Sequence, residues 1–344
     1  MYSLVRPLIF QLDAETAHQA ALASMRLPWP SKAASDPILR QQVAGLDFAS
    51  PVGLAAGFDK DGHVAHRMRR FGFGFAELGT LTPLPQAGNP KPRLFRLEQD
   101  EAVINRMGFN NGGQQAAIER LKLRGKTPGL VVGVNIGANK DATDRIEDYA
   151  AGVRAMGPLA DYLTINISSP NTPGLRALQD RGALDELLGR IMLANGGSGI
   201  PIFLKVAPDL EPADVDDIAD LALVHRINAL IVSNTTISRP ALASPQAGET
   251  GGLSGAPLHD LALQRLKAFR RRLGATLPLI GVGGIANADQ AYARIRAGAS
   301  LIQIYSAMVF EGPYLAAQIN AGLSALLRRD GFTTIADAVG CDID

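Results

Sequence analysis

From residue 50 onward, short β-branched or apolar runs alternate with amphipathic stretches, and eight of these runs read as strands. They are Val52–Ala56, Phe75–Gly79, Leu130–Asn135, Tyr162–Asn166, Ile202–Val206, Ala229–Ser233, Leu279–Val282 and Leu301–Tyr305. Between them lie helical patterns at Arg145–Met156, Ala183–Leu193, Pro212–His225, Leu258–Leu273 and Asn287–Ala297. Strands alternating with helices call for an all-parallel sheet, and eight is the number that closes a (β/α)8 barrel. The 344 residues are long enough for a barrel of about 250 with an addition. An open, doubly wound sheet is the structural alternative.

Polar residues follow the strands: Asp59 and Lys60, Thr80, Asn135, Asn166, Lys205, Ser233 with Asn234 and Thr235, Gly283 with Gly284, and Tyr305 with Ser306. In a barrel these C-terminal strand ends converge on one mouth, where active sites are built. Asn, Ser, Thr and Gly also mark ordinary turns. Turn chemistry does not account for two lysines at strand ends, because burying an unpaired ammonium is costly. Lys205 in Phe203-Leu-Lys-Val-Ala-Pro208 needs an anionic partner, either a bound group such as a flavin or a structural one such as Asp209. The run Leu279-Ile-Gly-Val-Gly-Gly-Ile285, with Ser306 after the last strand, has the form of a phosphate-binding turn, although a Gly-rich turn without a ligand is also compatible.

Two connections are long. Leu81–Gly113 contains Arg93–Leu97 and Ala102–Asn105 around a polar turn and reads as an inserted hairpin. Asn234–Pro257 is rich in Gly, Ser and Thr, shows no periodicity, and reads as a lid. Residues 1–35 contain no strand pattern. Tyr2–Gln11 and Ala14–Met25 read as two short amphipathic helices with Asp13 as the cap between them, and Pro28-Trp-Pro30 as their stop. They either pack on the barrel or lie in a membrane interface. The expected division is therefore 1–35 as a helical extension and 36–344 as the barrel.

Composition excludes several functions. Lys plus Arg (34) nearly equals Asp plus Glu (33), which gives no electrostatic basis for nucleic-acid binding. No apolar run reaches the length of a membrane span. The single cysteine, Cys341, rules out an intrachain disulfide, and five scattered histidines without a cysteine pair provide no metal-ligand spacing, so no metal is expected. No Gly-x-Ser-x-Gly turn is present for a serine triad. Asn166-Ile-Ser-Ser-Pro-Asn-Thr-Pro-Gly174 instead concentrates donors and acceptors suited to a planar, multiply hydrogen-bonded ligand.

These motifs resemble one family. Ala55-Ala-Gly-Phe-Asp-Lys-Asp-Gly62, Glu77-Leu-Gly-Thr-Leu-Thr-Pro83, Asn105-Arg-Met-Gly-Phe-Asn-Asn111, Asn135-Ile-Gly137, Asn166-Ile-Ser-Ser-Pro-Asn-Thr172, Gly251-Gly-Leu-Ser-Gly255 and Gly281-Val-Gly-Gly-Ile285 are similar, in order and over nearly the whole chain, to the dihydroorotate dehydrogenases. Ser169 stands where the soluble class of that family carries a cysteine base, and the helical extension is similar to that of the membrane-associated, quinone-reducing class.

The resemblance implies oxidation of dihydroorotate to orotate in pyrimidine biosynthesis, with one FMN per subunit and a quinone as acceptor. It implies FMN contacts at Ala56, Gly57, Phe58, Asp59, Lys60, Thr80, Asn135, Asn166, Lys205, Ser233, Gly255, Gly284, Tyr305 and Ser306. Substrate contacts follow at Lys60, Asn105, Arg106, Met107, Gly108, Phe109, Asn166, Asn171, Asn234 and Thr235. Ser169 is implied as the base, with Thr172 and Phe109 shaping a proton relay, and His18, Arg93 and Tyr305 at the quinone end, with a structural histidine as the alternative for His18. A monomer attached peripherally to the cytoplasmic face of the inner membrane is implied. A soluble acceptor such as fumarate or NAD, and a non-catalytic flavin- or phosphate-binding scaffold, are the competing readings.

Overall fold

The computed structural model describes residues 2–33 and 36–343. Along the chain, helices α1 (Tyr2–Phe10) and α2 (Ala14–Ser24) precede a hairpin of β1 (Gln41–Val43) and β2 (Leu46–Phe48). There follow β3 (Val52–Leu54), β4 (Phe75–Leu81), a second hairpin of β5 (Leu94–Leu97) and β6 (Ala102–Asn105), and α3 (Gly113–Arg124). The alternation then runs β7 (Val131–Ile136), α4 (Arg145–Met156), β8 (Tyr162–Asn166), α5 (Arg181–Asn195), β9 (Ile202–Val206), α6 (Pro212–Val224) and β10 (Ala229–Val232). It ends with β11 (Gly252–Gly255), α7 (His259–Leu273), β12 (Leu279–Val282), α8 (Ala288–Arg296), β13 (Ala299–Ile304), α9 (Ala307–Glu311) and α10 (Leu315–Arg329).

The strands β3, β4, β7, β8, β9, β10, β12 and β13 pair in parallel and close on themselves, which excludes the open sheet. Each of the eight sequence runs supplies one barrel strand. The bottom of the barrel is dry and aromatic. The Phe75 ring fills the space that a side chain at Gly53 would need, since a Cβ there would lie 2.2 Å from the ring, and the Tyr162 ring does the same over Gly133 at 2.1 Å. Tyr162 stacks on Phe203 with centroids 4.3 Å apart, and Phe48 from the β1–β2 hairpin meets Phe75 edge-on and plugs the floor. Glycine on one strand thus makes room for an aromatic ring on its neighbour.

Asp13 caps α2 by accepting from the backbone N–H groups of Glu15 and Thr16, as its position in the sequence suggests. The segment read as an aperiodic lid differs from expectation. Its distal part forms β11, which joins β6 and β5 in a three-stranded antiparallel sheet over the barrel mouth. A four-residue strand bounded by glycines carries too short an alternation to be seen in sequence. The expected boundary between 35 and 36 falls beside residues 34–35, outside the described residues.

The Phe75–Gly53 contact leads to a stability test. Gly53→Ala is expected to lower the unfolding free energy by about 1–3 kcal/mol, and by much less in a Phe75→Leu background. Denaturant unfolding of the two single variants and the double variant reads this coupling.

Candidate active site

The strand order brings polar strand ends together around a buried carboxylate. Glu77, fully buried on β4, accepts from Asn135 Nδ2 at 2.7 Å, Gln303 Nε2 at 2.9 Å, Thr164 Oγ1 at 3.0 Å and the Tyr162 hydroxyl at 3.1 Å. Four donors meet the cost of burying this charge in a dry interior. Its electrostatic counterpart is Lys205: burial lowers the lysine pKa, and the Glu77 charge opposes that shift. Asp209, the other partner suggested by sequence, pairs instead with Arg176 at 2.9 Å.

Above Glu77 a chain of amides and hydroxyls lines up. Asn135 Oδ1 accepts from Thr80 at 2.6 Å and from Asn166 at 3.2 Å. Asn234 Nδ2 reaches Asn166 Oδ1 at 3.3 Å and Ser168 Oγ at 3.0 Å, and Asn171 Nδ2 donates to Asn105 Oδ1 at 3.1 Å. Ser169 is buried on the loop after β8, where its Oγ accepts from the Asn171 N–H at 3.3 Å. Lys60 donates to the Gly57 carbonyl at 2.8 Å, and burial draws its pKa down to about 8.

The upper groups of this network open onto one cavity of about 580 Å³ that runs from the barrel mouth to the space between α1, α2 and the barrel. At the polar end are Lys60, Thr80, Asn105, Asn166, Ser169, Lys205 and Asn234. Gly255 and Gly284 form another part of the wall, where added Cβ atoms would lie 2.3 Å from the Glu101 carbonyl oxygen and 2.5 Å from His259 Cα. Among the described residues no protein acceptor meets the N–H of Gly284 or Ile285, none takes a hydrogen bond from Lys205 Nζ, and Gln303 Oε1 on the cavity wall is buried without a partner.

The other end of the cavity is apolar, lined by Val5, Ile9, Phe10, Ala17, Ala21 and Met25. At the junction His18 meets Phe58 edge-on at 5.2 Å and lies 6.2 Å from Tyr305. Burial, with the Lys60 charge adding to it, draws the His18 pKa down to about 4, so the imidazole is neutral at physiological pH.

The sequence profile described as Dihydroorotate dehydrogenase matches residues 38–327. The chain belongs to the dihydroorotate dehydrogenase family. It is 62% identical over 342 residues to "Dihydroorotate dehydrogenase (quinone)" of Sphingopyxis alaskensis, covering 98% of this chain and 96% of the relative. The corresponding protein of Novosphingobium aromaticivorans is 60% identical, with 99% of each chain covered. These matches place the chain in the quinone-dependent class. The crystal structure of the Eimeria tenella dihydroorotate dehydrogenase in complex with ferulenol superposes with a TM-score of 0.91 at 39% identity, covering 96% of each chain.

Within this family fold, most residues singled out in sequence line the cavity: Ala56, Gly57, Phe58, Met107, Gly108, Phe109, Asn171, Ser233, Thr235, Tyr305 and Ser306 join those already named. Five do not. The Asp59 carboxylate turns back to accept from the N–H groups of His63, Val64 and Ala65, and Asn135 sits one layer below the wall. Arg106 lies over the Phe95 ring and pairs with Glu249 at 2.7 Å. Thr172 is buried off the cavity. Arg93 is drawn into a two-pronged pair with Glu15 and into the carbonyls of Ala87 and Asn89.

The cation that does face the apolar end is Arg96, which the sequence reading missed. It lies over the Phe10 ring at 4.6 Å and donates to the carbonyls of Phe10, at 2.9 Å, and Leu12. Strand alternation supplies the signal: Leu94 and Arg96 share one face of β5 and both line the cavity, whereas Arg93, just before the strand, turns to Glu15 of α2. Arg96→Leu is expected to free the α1–α2 connection, and faster amide hydrogen exchange across residues 10–13, with barrel protection unchanged, is the measurement.

Proposed function

We propose that the chain oxidises dihydroorotate to orotate at the polar end of this cavity, with FMN as hydride acceptor, and passes the electrons to a quinone entering between α1 and α2. The continuity of the cavity carries this reading: one space joins a polar, amide-lined mouth to an apolar passage. That passage favours a quinone over a soluble acceptor. When bound, FMN supplies the two-electron acceptor.

The residues fit such a group. The free N–H groups of Gly284 and Ile285, together with Ser306, suit its phosphate, and a Cβ at Gly255 or Gly284 would displace this wall by running into the Glu101 carbonyl or the His259 backbone behind it. Lys205 and the unpartnered Gln303 Oε1 suit its ring edge, alongside Thr80, Asn166 and Ser233. Asn135 acts from below by holding Thr80 and Asn166, and Asp59 by fixing the loop that carries Gly57 and Lys60.

Dihydroorotate carries one carboxylate and a cyclic urea-like edge. Lys60 pairs with the carboxylate, while Asn105, Asn166, Asn171, Asn234 and Thr235 satisfy the edge. Ser169 takes the proton from the substrate carbon next to the hydride-donating one. Phe109 closes the pocket against water, and Thr172 supports the loop behind Ser169. At the apolar end the neutral His18, Tyr305 and Arg96 face the quinone, with Arg93 and Glu15 holding α2 against the β5 hairpin. No helix among the described residues is long and apolar enough to cross a membrane. Leu4 and Leu8, 79% and 65% exposed on α1, are the contacts for a peripheral membrane association through residues 1–35.

Ser169→Ala is expected to retain bound FMN while dihydroorotate bleaches the flavin absorbance about 10²–10⁴-fold more slowly, as stopped-flow absorbance would read. The Lys60 ammonium is present below about pH 8 and lost above it. Dihydroorotate affinity should therefore hold below that pH and then weaken by roughly tenfold per unit well above it. A Lys60→Met enzyme should bind weakly throughout, with no inflection near pH 8 in a spectroscopic binding titration.

A further inference from the structure

Arg294, on α8, is fully buried and touches no carboxylate; Asp260 is the acidic group whose charge reaches it. Its Nη2 donates at 2.7 Å to two carbonyls, those of Gly283 and His259, while Nε and Nη1 have no partner among the described residues. A buried guanidinium with two unmet donors is costly unless something nearby carries negative charge. Burial lowers its pKa only to about 10, so it remains a cation at neutral pH.

Its position explains the expense. In a trans peptide the C=O of one residue and the N–H of the next point in opposite directions. With the Gly283 carbonyl held by Arg294, the Gly284 N–H is turned to the other side of the peptide. With the Gly284 carbonyl held by His259 Nδ1 at 2.7 Å, the Ile285 N–H is turned in the same way. Those two N–H groups meet no acceptor among the described residues, and Gly283, Gly284 and Ile285 all line the cavity. Two consecutive peptides, pinned from behind, have the arrangement of N–H groups that anion-binding concavities use.

We propose that Arg294 is a positioning residue for the FMN phosphate: it orients the Gly283–Ile285 turn and supplies, from one layer behind, the positive charge that a phosphate dianion needs in this buried setting. The inference rests on the FMN reading of the site.

The test starts from purified holoenzyme equilibrated with mixtures of FMN and riboflavin, followed by gel filtration and chromatographic measurement of the bound flavins. The ratio of the two affinities isolates the phosphate, because riboflavin shares the ring and lacks that group. Arg294→Gln keeps a donor for the Gly283 carbonyl but loses the charge, and its preference for FMN is expected to fall by at least about tenfold. Arg294→Lys keeps the charge and is expected to stay near the wild-type ratio. A wild-type ratio in Arg294→Gln would overturn the proposal, since a merely structural role weakens both flavins together, and so would an equal fall in both variants, since the charge kept by lysine would then have no effect. Wild-type protein that holds no flavin would overturn the FMN reading itself and this inference with it.

Discussion

The Glu77 carboxylate divides the barrel interior. Below it the space is filled by Phe75, Tyr162 and Phe203 against facing glycines, with no room for solvent. Above it runs a chain of polar side chains, each oriented by the next: Glu77 fixes Asn135, Asn135 fixes Thr80 and Asn166, and Asn166 takes up Ser168 and Asn234. A buried charge forces this order, because leaving any of its acceptor positions unmet costs more than one hydrogen bond returns. The same charge lets the barrel hold the Lys205 ammonium without a direct acceptor among the described residues.

The second organising feature is that a single cavity has two chemically distinct ends. The barrel mouth contributes amides, hydroxyls and cations; α1 and α2 contribute a corridor of alanines and aliphatic side chains. Phe58, Tyr305 and the neutral His18 stand where the two meet. The extension is attached by polar contacts at its margins, with Tyr2 on the Val309 carbonyl, Arg6 on that of Phe310, and Glu15 on Arg93. The interior of the corridor is thereby left apolar and open. Fastening at the edges is what allows two short helices to enclose a passage instead of collapsing onto the barrel.

Much of this was legible in sequence, for identifiable reasons. Barrel strands buried on both faces are continuous apolar runs, so all eight stood out, and Asp13 declared itself as a cap through its place between two helical patterns. The strand-end residues were legible because strand direction alone sends them to one mouth. The five that miss the cavity failed on orientation. Asp59 and Arg106 follow site-like neighbours yet turn toward backbone N–H groups and Glu249. Arg93 and Arg96 lie three residues apart, and choosing between them requires knowing that Glu15 of α2 takes up the first while the second reaches the α1–α2 connection. Glu77 was read only as part of a motif, since nothing local shows that Tyr162, Thr164 and Gln303, from β8 and β13, converge on it.

The sequence by itself determined the parallel alternation, the barrel and the inventory of groups at its mouth, because strand burial, helix capping and turn chemistry act within a few residues of each position. Tertiary structure alone decided which carboxylate faces Lys205, which arginine lines the apolar passage, and that β11 completes a sheet with the inserted hairpin. It also set Arg294 behind the glycine turn. Each of these depends on side chains far apart in the chain meeting in a low-dielectric interior, where a shift of one residue in register or one face of a strand changes the partner.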